Sequence, residues 1–296
     1  MFSSSECITW FAVFLAVCVA IVTVNLISIA LFIKNRSLRT RATYLVINLT
    51  IADMFVGGFY LPVPFVILSC LCDIVKMNLS QELLVLLVII FFLKIWFLLT
   101  SLTNIAVISL DRLHATIRPF RHRLIKKWVY GVTIAGVWVL AAMVTAMCLI
   151  PLLRFREYLF GIYFTQSYCC LCLFVICVSY SIIIVKFLCG AHPQHHGAAN
   201  RERKLTVTLL ITTIVSLLMW LPYAVYTFVF LGIVKFLSFQ ELELHLHFSL
   251  TILYLMNSLV NPVVYTIKMP EFRKALLLLF KRQRRQNARG IPLHAL

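Results

Sequence analysis

The chain has 296 residues, of which 62% are hydrophobic and 12% charged, and it carries a formal net charge of +17. So much apolar surface excludes a soluble globular domain and indicates a polytopic membrane protein built as one bundle. The positive charge does not indicate nucleic acid, because the basic residues gather in alternate loops. Seven apolar segments are predicted to span a bilayer, which takes roughly 20 residues each. They fall near 8–33, 41–67, 80–113, 127–150, 158–188, 201–231 and 240–266, joined by stretches rich in charge and turn residues. The expected fold is an all-α seven-transmembrane helix bundle (8–266) between a short extracellular head (1–7) and a cytoplasmic amphipathic helix and basic tail (267–296). The head lacks a basic n-region, so the first apolar run is expected to be a retained span rather than a signal peptide.

Orientation follows from the positive-inside rule. The first, third and fifth connectors and the tail hold 22 of the 27 Lys and Arg residues, which puts the N-terminus outside and the C-terminus in the cytoplasm. Asn78-Leu-Ser80 is a glycosylation sequon in an outside loop, whereas Asn48-Leu-Thr50 lies within a span and should go unused. After the last span, Phe272, Ala275, Leu276, Leu279 and Phe280 recur at helical spacing beside Arg273, Lys274 and Lys281. This pattern describes a helix lying on the inner leaflet. The ten cysteines show no metal-ligand spacing and read mostly as small apolar packing residues.

The third segment carries the most information. Lys94, Ser101 and Arg112 are separated by about two and then three whole turns, so they share one face with Leu98, Ile105 and Ile108. Polar groups at membrane depth are costly, and they normally face a bundle interior or a water-filled cavity. No internal repeat of the kind transporters show is visible, and no nucleophile or metal constellation indicates an enzyme.

Several short motifs fall in order along the spans. They are Asn25 in the first, Asn48-Leu-Thr-Ile-Ala-Asp53 in the second, Asp111-Arg112-Leu113 in the third and Trp138 in the fourth. Tyr180 follows in the fifth, Met219-Trp220-Leu221-Pro222 in the sixth and Asn261-Pro262-Val-Val-Tyr265 in the seventh. Together these resemble the rhodopsin-like (class A) G-protein-coupled receptors across all seven spans. The resemblance implies a sodium pocket at Asp53, Ser101, Asn257 and Asn261, with Ser258 close by; a protonated Asp53 without an ion is the alternative. It also implies a switch built from Asp111, Arg112, Tyr180, Glu202, Trp220, Pro222, Asn261, Pro262 and Tyr265. In that switch an Arg112–Glu202 pair joins the third and sixth spans at rest. The implied partners are an extracellular ligand, a heterotrimeric G protein, arrestin and membrane lipids. No nucleic acid and no catalysis are implied, and the only cofactor is an allosteric sodium ion.

The chain departs from the family pattern in places. Leu87 stands where the outer disulfide needs a cysteine, and the short second outside loop has none. Melanocortin and some lipid receptors are similar in this respect, but the melanocortin acidic cluster would fall on Val63, Leu87 and Phe91. Cys7 with Cys70 or Cys72 is an alternative staple. Cys172 replaces a usual proline and Ser216 a usual phenylalanine, which points to altered coupling or raised basal activity. Lys94 occupies the place of the amine-receptor aspartate, which disfavours amine ligands. It either receives a carboxylate or phosphate, with Leu98, Tyr223, Thr227, His247 and Tyr254 around it, or snorkels to the outer water. The ligand is expected to be small or lipid-like, or a short peptide. The competing function is a receptor-shaped protein that traffics or dimerises with little or no coupling.

Overall fold

A computed structural model of the chain describes residues 3–35, 38, 43–62, 66, 81–155, 158–189, 197–233, 241–268 and 270–288. The described residues form helices α1 (Ser4–Lys34), α2 (Thr43–Tyr60), α3 (Gln81–Ile117), α4 (Pro119–Leu124) and α5 (Lys127–Phe155). These are followed by α6 (Tyr158–Cys189), α7 (Gly197–Ile233), α8 (Glu241–Lys268) and α9 (Pro270–Ala288). All but the short α4 and the terminal α9 contain a stretch long and apolar enough to cross a membrane, seven in total among the described residues. Many large apolar side chains on these helices face outward, Val19, Val132, Phe174 and Leu218 among them. In lipid that exposure is favourable, and backbone polar groups are satisfied within each helix.

Helix ends follow local chemistry. The helix α1 starts earlier than position 8, because Ser3 and Glu6 form a capping box: Glu6 N–H donates to Ser3 Oγ (3.3 Å) and Ser3 N–H to Glu6 Oε2 (2.8 Å). The described run of α2 ends at Tyr60, and residues 63–65 and 67 of the expected second span lie outside the described residues. The helix α3 runs four residues past Leu113 and stops before Pro119, which opens α4. Two close approaches fix neighbouring helices. A Cβ on Gly57 would lie 2.8 Å from Ile21 Cγ2 and 3.0 Å from the Cys18 carbonyl oxygen, so α1 and α2 touch there. A Cβ on Gly161 would lie 2.4 Å from the Cys148 carbonyl oxygen, so α6 meets the backbone of α5.

Where α1 and α8 begin is called the N-terminal end of the bundle, and where α9 lies the C-terminal end. At the first, Trp10 Nε1 donates to His245 Nδ1 (3.1 Å), and the His245 ring lies 3.5 Å from Glu6 Oε1. Cys7, beside this contact, is disulfide-bonded. The candidate partners Cys70 and Cys72, like the Asn78 sequon, lie outside the described residues. At the second end, Phe272 of α9 is buried against Phe32 (5.4 Å between ring centres) and Tyr265 (6.1 Å). Aromatic contact thus docks α9 on α1 and α8, while Leu277 and Leu278 stay exposed. Between the ends, Phe55 and Phe97 stack at 4.8 Å, and Trp96 meets Trp138 edge-on at 5.8 Å. These rings pack α2, α3 and α5 together.

Candidate functional site

The polar residues form three levels along the bundle. The middle level is a hub on Asp53, a carboxylate with no accessible surface. Its Oδ1 accepts from Ser101 Oγ (2.6 Å) and Ser258 Oγ (3.0 Å), and its Oδ2 accepts from Asn261 Nδ2 (2.6 Å). One acid therefore ties α2 to α3 and α8. Asn25 on α1 joins from the side by donating to the Ser258 carbonyl oxygen (3.0 Å). Asn257, one residue before Ser258, is buried, but its Oδ1 has no hydrogen-bond partner, and neither has Asn261 Oδ1. A neighbouring network holds α2, α3 and α5: Trp138 Nε1 donates to Asn48 Oδ1 (2.9 Å), and Asn48 Nδ2 donates to Asn104 Oδ1 (2.8 Å).

The C-terminal level centres on Arg112, whose side chain is 0% exposed. Its Nε donates to Asp111 Oδ2 at 3.0 Å, and its Nη2 pairs with the same oxygen. Asp111 Oδ1 also meets His122 Nε2 (3.0 Å) and accepts from Tyr130 Oη (3.2 Å). The acid thus joins α3 to α4 and α5. His122 and Tyr130 escaped the sequence reading. The available signal was Pro119, which starts a short helix that returns His122 to the end of α3. Lys186 of α6 caps α3 by donating to the Thr116 and Ile117 carbonyl oxygens at 2.7 and 3.3 Å. Tyr180 accepts from Thr213 Oγ1 of α7 (3.3 Å), whereas the buried Tyr265 hydroxyl has no partner. The two tyrosines make separate contacts here. The Glu202 side chain lies outside the described residues.

Between hub and N-terminal end sits an aromatic column. Trp220, two residues before Pro222 in α7, meets Tyr254 of α8 edge-on (4.6 Å between centres), and Tyr254 stacks on Tyr223 (5.0 Å). Pro222 and Pro262 both lie inside their helices, where each removes one backbone donor. His247 packs against Tyr223 (6.1 Å). Lys94 places Nζ 4.6 Å from the centre of the Tyr60 ring and 5.4 Å from that of Phe91. Among the expected ligand-site residues, Leu98 is part-buried against the core. Thr227 is already engaged: its hydroxyl donates to the Tyr223 and Ala224 carbonyl oxygens (2.9 and 3.0 Å) and accepts from Gln166 Nε2 (2.5 Å). Its part in holding α7 against α6 was not visible in the sequence. Ser216 is buried with an unpartnered Oγ.

Residues 24–265 match the family model for the 7 transmembrane receptor (rhodopsin family). The chain is 25% identical to the substance-K receptor of Homo sapiens over an alignment of 312 residues, covering 92% of this chain and 72% of that one. It is 30% identical over 141 residues to Mas-related G-protein coupled receptor member A2B of Mus musculus, covering 44% and 43% of the two chains. Over 98 residues it is 39% identical to 5-hydroxytryptamine receptor 2B of Drosophila melanogaster, covering 32% and 15%. With seven apolar helices, the Asp53 hub and a family match over most of its length, the chain belongs to the rhodopsin family of seven-transmembrane receptors, multi-pass membrane proteins that are not enzymes.

Proposed function

We propose that this receptor sits in the plasma membrane with its N-terminus extracellular, binds a small or lipid-like ligand or a short peptide at the Lys94 level, and activates a heterotrimeric G protein from the Arg112 level. The observation that carries the reading is the Asp53 hub. One buried acid gathers donors from α3 and α8 at 2.6–3.0 Å, midway between the aromatic column and the clamped arginine. A ligand can shift a two-state bundle only by contacting its two states differently. The α8 contacts Tyr254, Ser258, Asn261 and Tyr265 give such a difference a route along one helix. In this reading the resting state holds Arg112 on Asp111 and Glu202, and the open state brings Tyr265 to Tyr180. The basic C-terminal end faces the cytoplasm, α9 rests on the inner leaflet, and arrestin and lipid contact the same face. Asn78 carries glycan. Cells expressing wild type, Arg112→Ala and Glu202→Ala at matched surface density test this by ligand-free dissociation of Gs, Gi and Gq. Glu202→Ala should raise the signal of one of them and Arg112→Ala lower it; a signal that neither change moves would favour the non-coupling alternative.

The hub also suits sodium. Asn261, which donates to the Asp53 carboxylate beside two serine hydroxyls, keeps a buried Oδ1 that receives no hydrogen bond, and Asn257 Oδ1, one residue before Ser258, is likewise buried and unpartnered. Oxygen donors of this kind are what a hard monovalent cation takes. The ion would stabilise the state that keeps α3 and α8 gathered on Asp53. The expected result is that exchanging potassium for sodium, at a few times the dissociation constant, adds about 1 kcal/mol to the stability of the purified protein. Asp53→Asn should abolish the difference, and an equal response in wild type and Asp53→Asn would remove sodium from the account.

A further inference from the structure

The geometry points to an organic anion as the ligand: a single acidic group on an apolar body, received by Lys94. This rests on the reading of the Lys94 level as the ligand site, and it commits that site to one chemistry. Among the residues whose side chains are described, Lys94 is the one cation in the N-terminal half of the bundle. No carboxylate among them lies within ion-pair distance of it. Glu6, the acid nearest that end in sequence, is engaged by Ser3 and His245. The ammonium instead lies against two ring faces, Tyr60 at 4.6 Å and Phe91 at 5.4 Å. Such contacts offset part of the cost of removing a cation from water, but a ring face does not replace the hydrogen bonds an ammonium makes to oxygen.

A second observation points the same way. The Tyr254 hydroxyl, on a residue 5% exposed, is buried without a hydrogen-bond partner. It lies within electrostatic reach of the Tyr60 phenol, on whose ring Lys94 rests, and His247 lies within reach of Lys94. A buried hydroxyl left unpaired is costly, so this donor is poised for an acceptor. An unpaired hydroxyl donor at the same level as an ammonium is a complement for a carboxylate. The aromatic rings around them, Trp220 and Tyr223 included, suit an apolar body and repel nothing uncharged. An amine would meet Lys94 with the same sign of charge. A single cation matches a single negative charge. The acid could come from solution, or from the bilayer by way of Phe91, which is part-exposed on the outer surface of α3.

The test uses the purified full chain in a neutral detergent, with no G protein present. Thermal stability is followed while titrating 4-phenylbutyrate, 4-phenylbutanol and 4-phenylbutylamine as soluble probes, and oleate and oleyl alcohol as membrane probes. The expected result is saturable stabilisation by an acid and none by the matched alcohol or amine. Response to 4-phenylbutyrate assigns a soluble source, and response to oleate alone a membrane source. Lys94→Gln should weaken the acid on the order of tenfold to a hundredfold, the loss of a charge-assisted hydrogen bond, while Lys94→Arg keeps most of the affinity. The alcohol comparison needs only wild type, so it decides even if Lys94→Gln folds poorly. An alcohol that binds as tightly as its acid, no response to either acid, or an unchanged affinity in Lys94→Gln would overturn the assignment. Binding is read without coupling. An acid-binding receptor that activates no G protein would therefore sink the coupling reading and leave this one standing.

Discussion

Gly161→Ala should cost the bundle about 3 kcal/mol, near the upper end for overpacking a buried site. The added Cβ would stand 2.4 Å from the Cys148 carbonyl oxygen. That atom is backbone, so no side-chain rotation relieves the clash and α5 must separate from α6. The contact between Cys148 Sγ and Thr165 Oγ1 (2.7 Å) lies in the same seam and would open with it. A matched control runs the other way. A Cβ on Gly136 meets nothing within 4 Å, and that residue is exposed. There the gain in helix propensity should stabilise α5 by up to about 1 kcal/mol. Apparent melting temperatures in detergent, taken at one scan rate, should fall for Gly161→Ala and hold or rise for Gly136→Ala. Equal shifts of one sign would mean that the α5–α6 seam is looser than described.

Asp111→Ala should be comparably damaging, at about 3 kcal/mol, because it removes one partner of a buried ion pair. Arg112, His122 and Tyr130 all converge on this carboxylate. Without it the guanidinium, which has no accessible surface, loses its bonds to the adjacent acid. The short α4 loses its hold on α3 at the same time. Asp111→Asn keeps an oxygen acceptor and should cost less than half as much. His122→Ala, which removes one donor and leaves the arginine pair, should cost about 1 kcal/mol. The order Asp111→Ala, Asp111→Asn, His122→Ala in falling cost is checked by the same melting series. A larger loss in His122→Ala than in Asp111→Ala would show that the histidine, not the carboxylate, organises this end.

The seven helices were legible because lipid imposes one requirement on every span, a long apolar run. The face of α3 was legible from spacing alone: Ser101, Ile105, Ile108 and Arg112 are all buried. The Asp53 hub needed more, since Ser258 and Asn261 lie more than 200 positions away; ordered motifs, rather than periodicity, brought them together. What escaped depends on helix phase and loop geometry. Tyr60 under Lys94, Gln166 on Thr227 and Trp10 on His245 each join helices whose relative rotation no local pattern encodes. His122 reaches Asp111 only because α4 folds back, and an 11-residue separation does not say so.

The most direct test of the central claim is nucleotide exchange on purified Gs, Gi and Gq heterotrimers by the purified chain in lipid nanodiscs, with and without an acidic probe that binds it. The account predicts that at least one heterotrimer exchanges faster than with empty nanodiscs. It also predicts that folded Arg112→Ala protein loses most of that acceleration. Exchange at the rate of empty nanodiscs for all three heterotrimers, with an acid bound at Lys94, would contradict it.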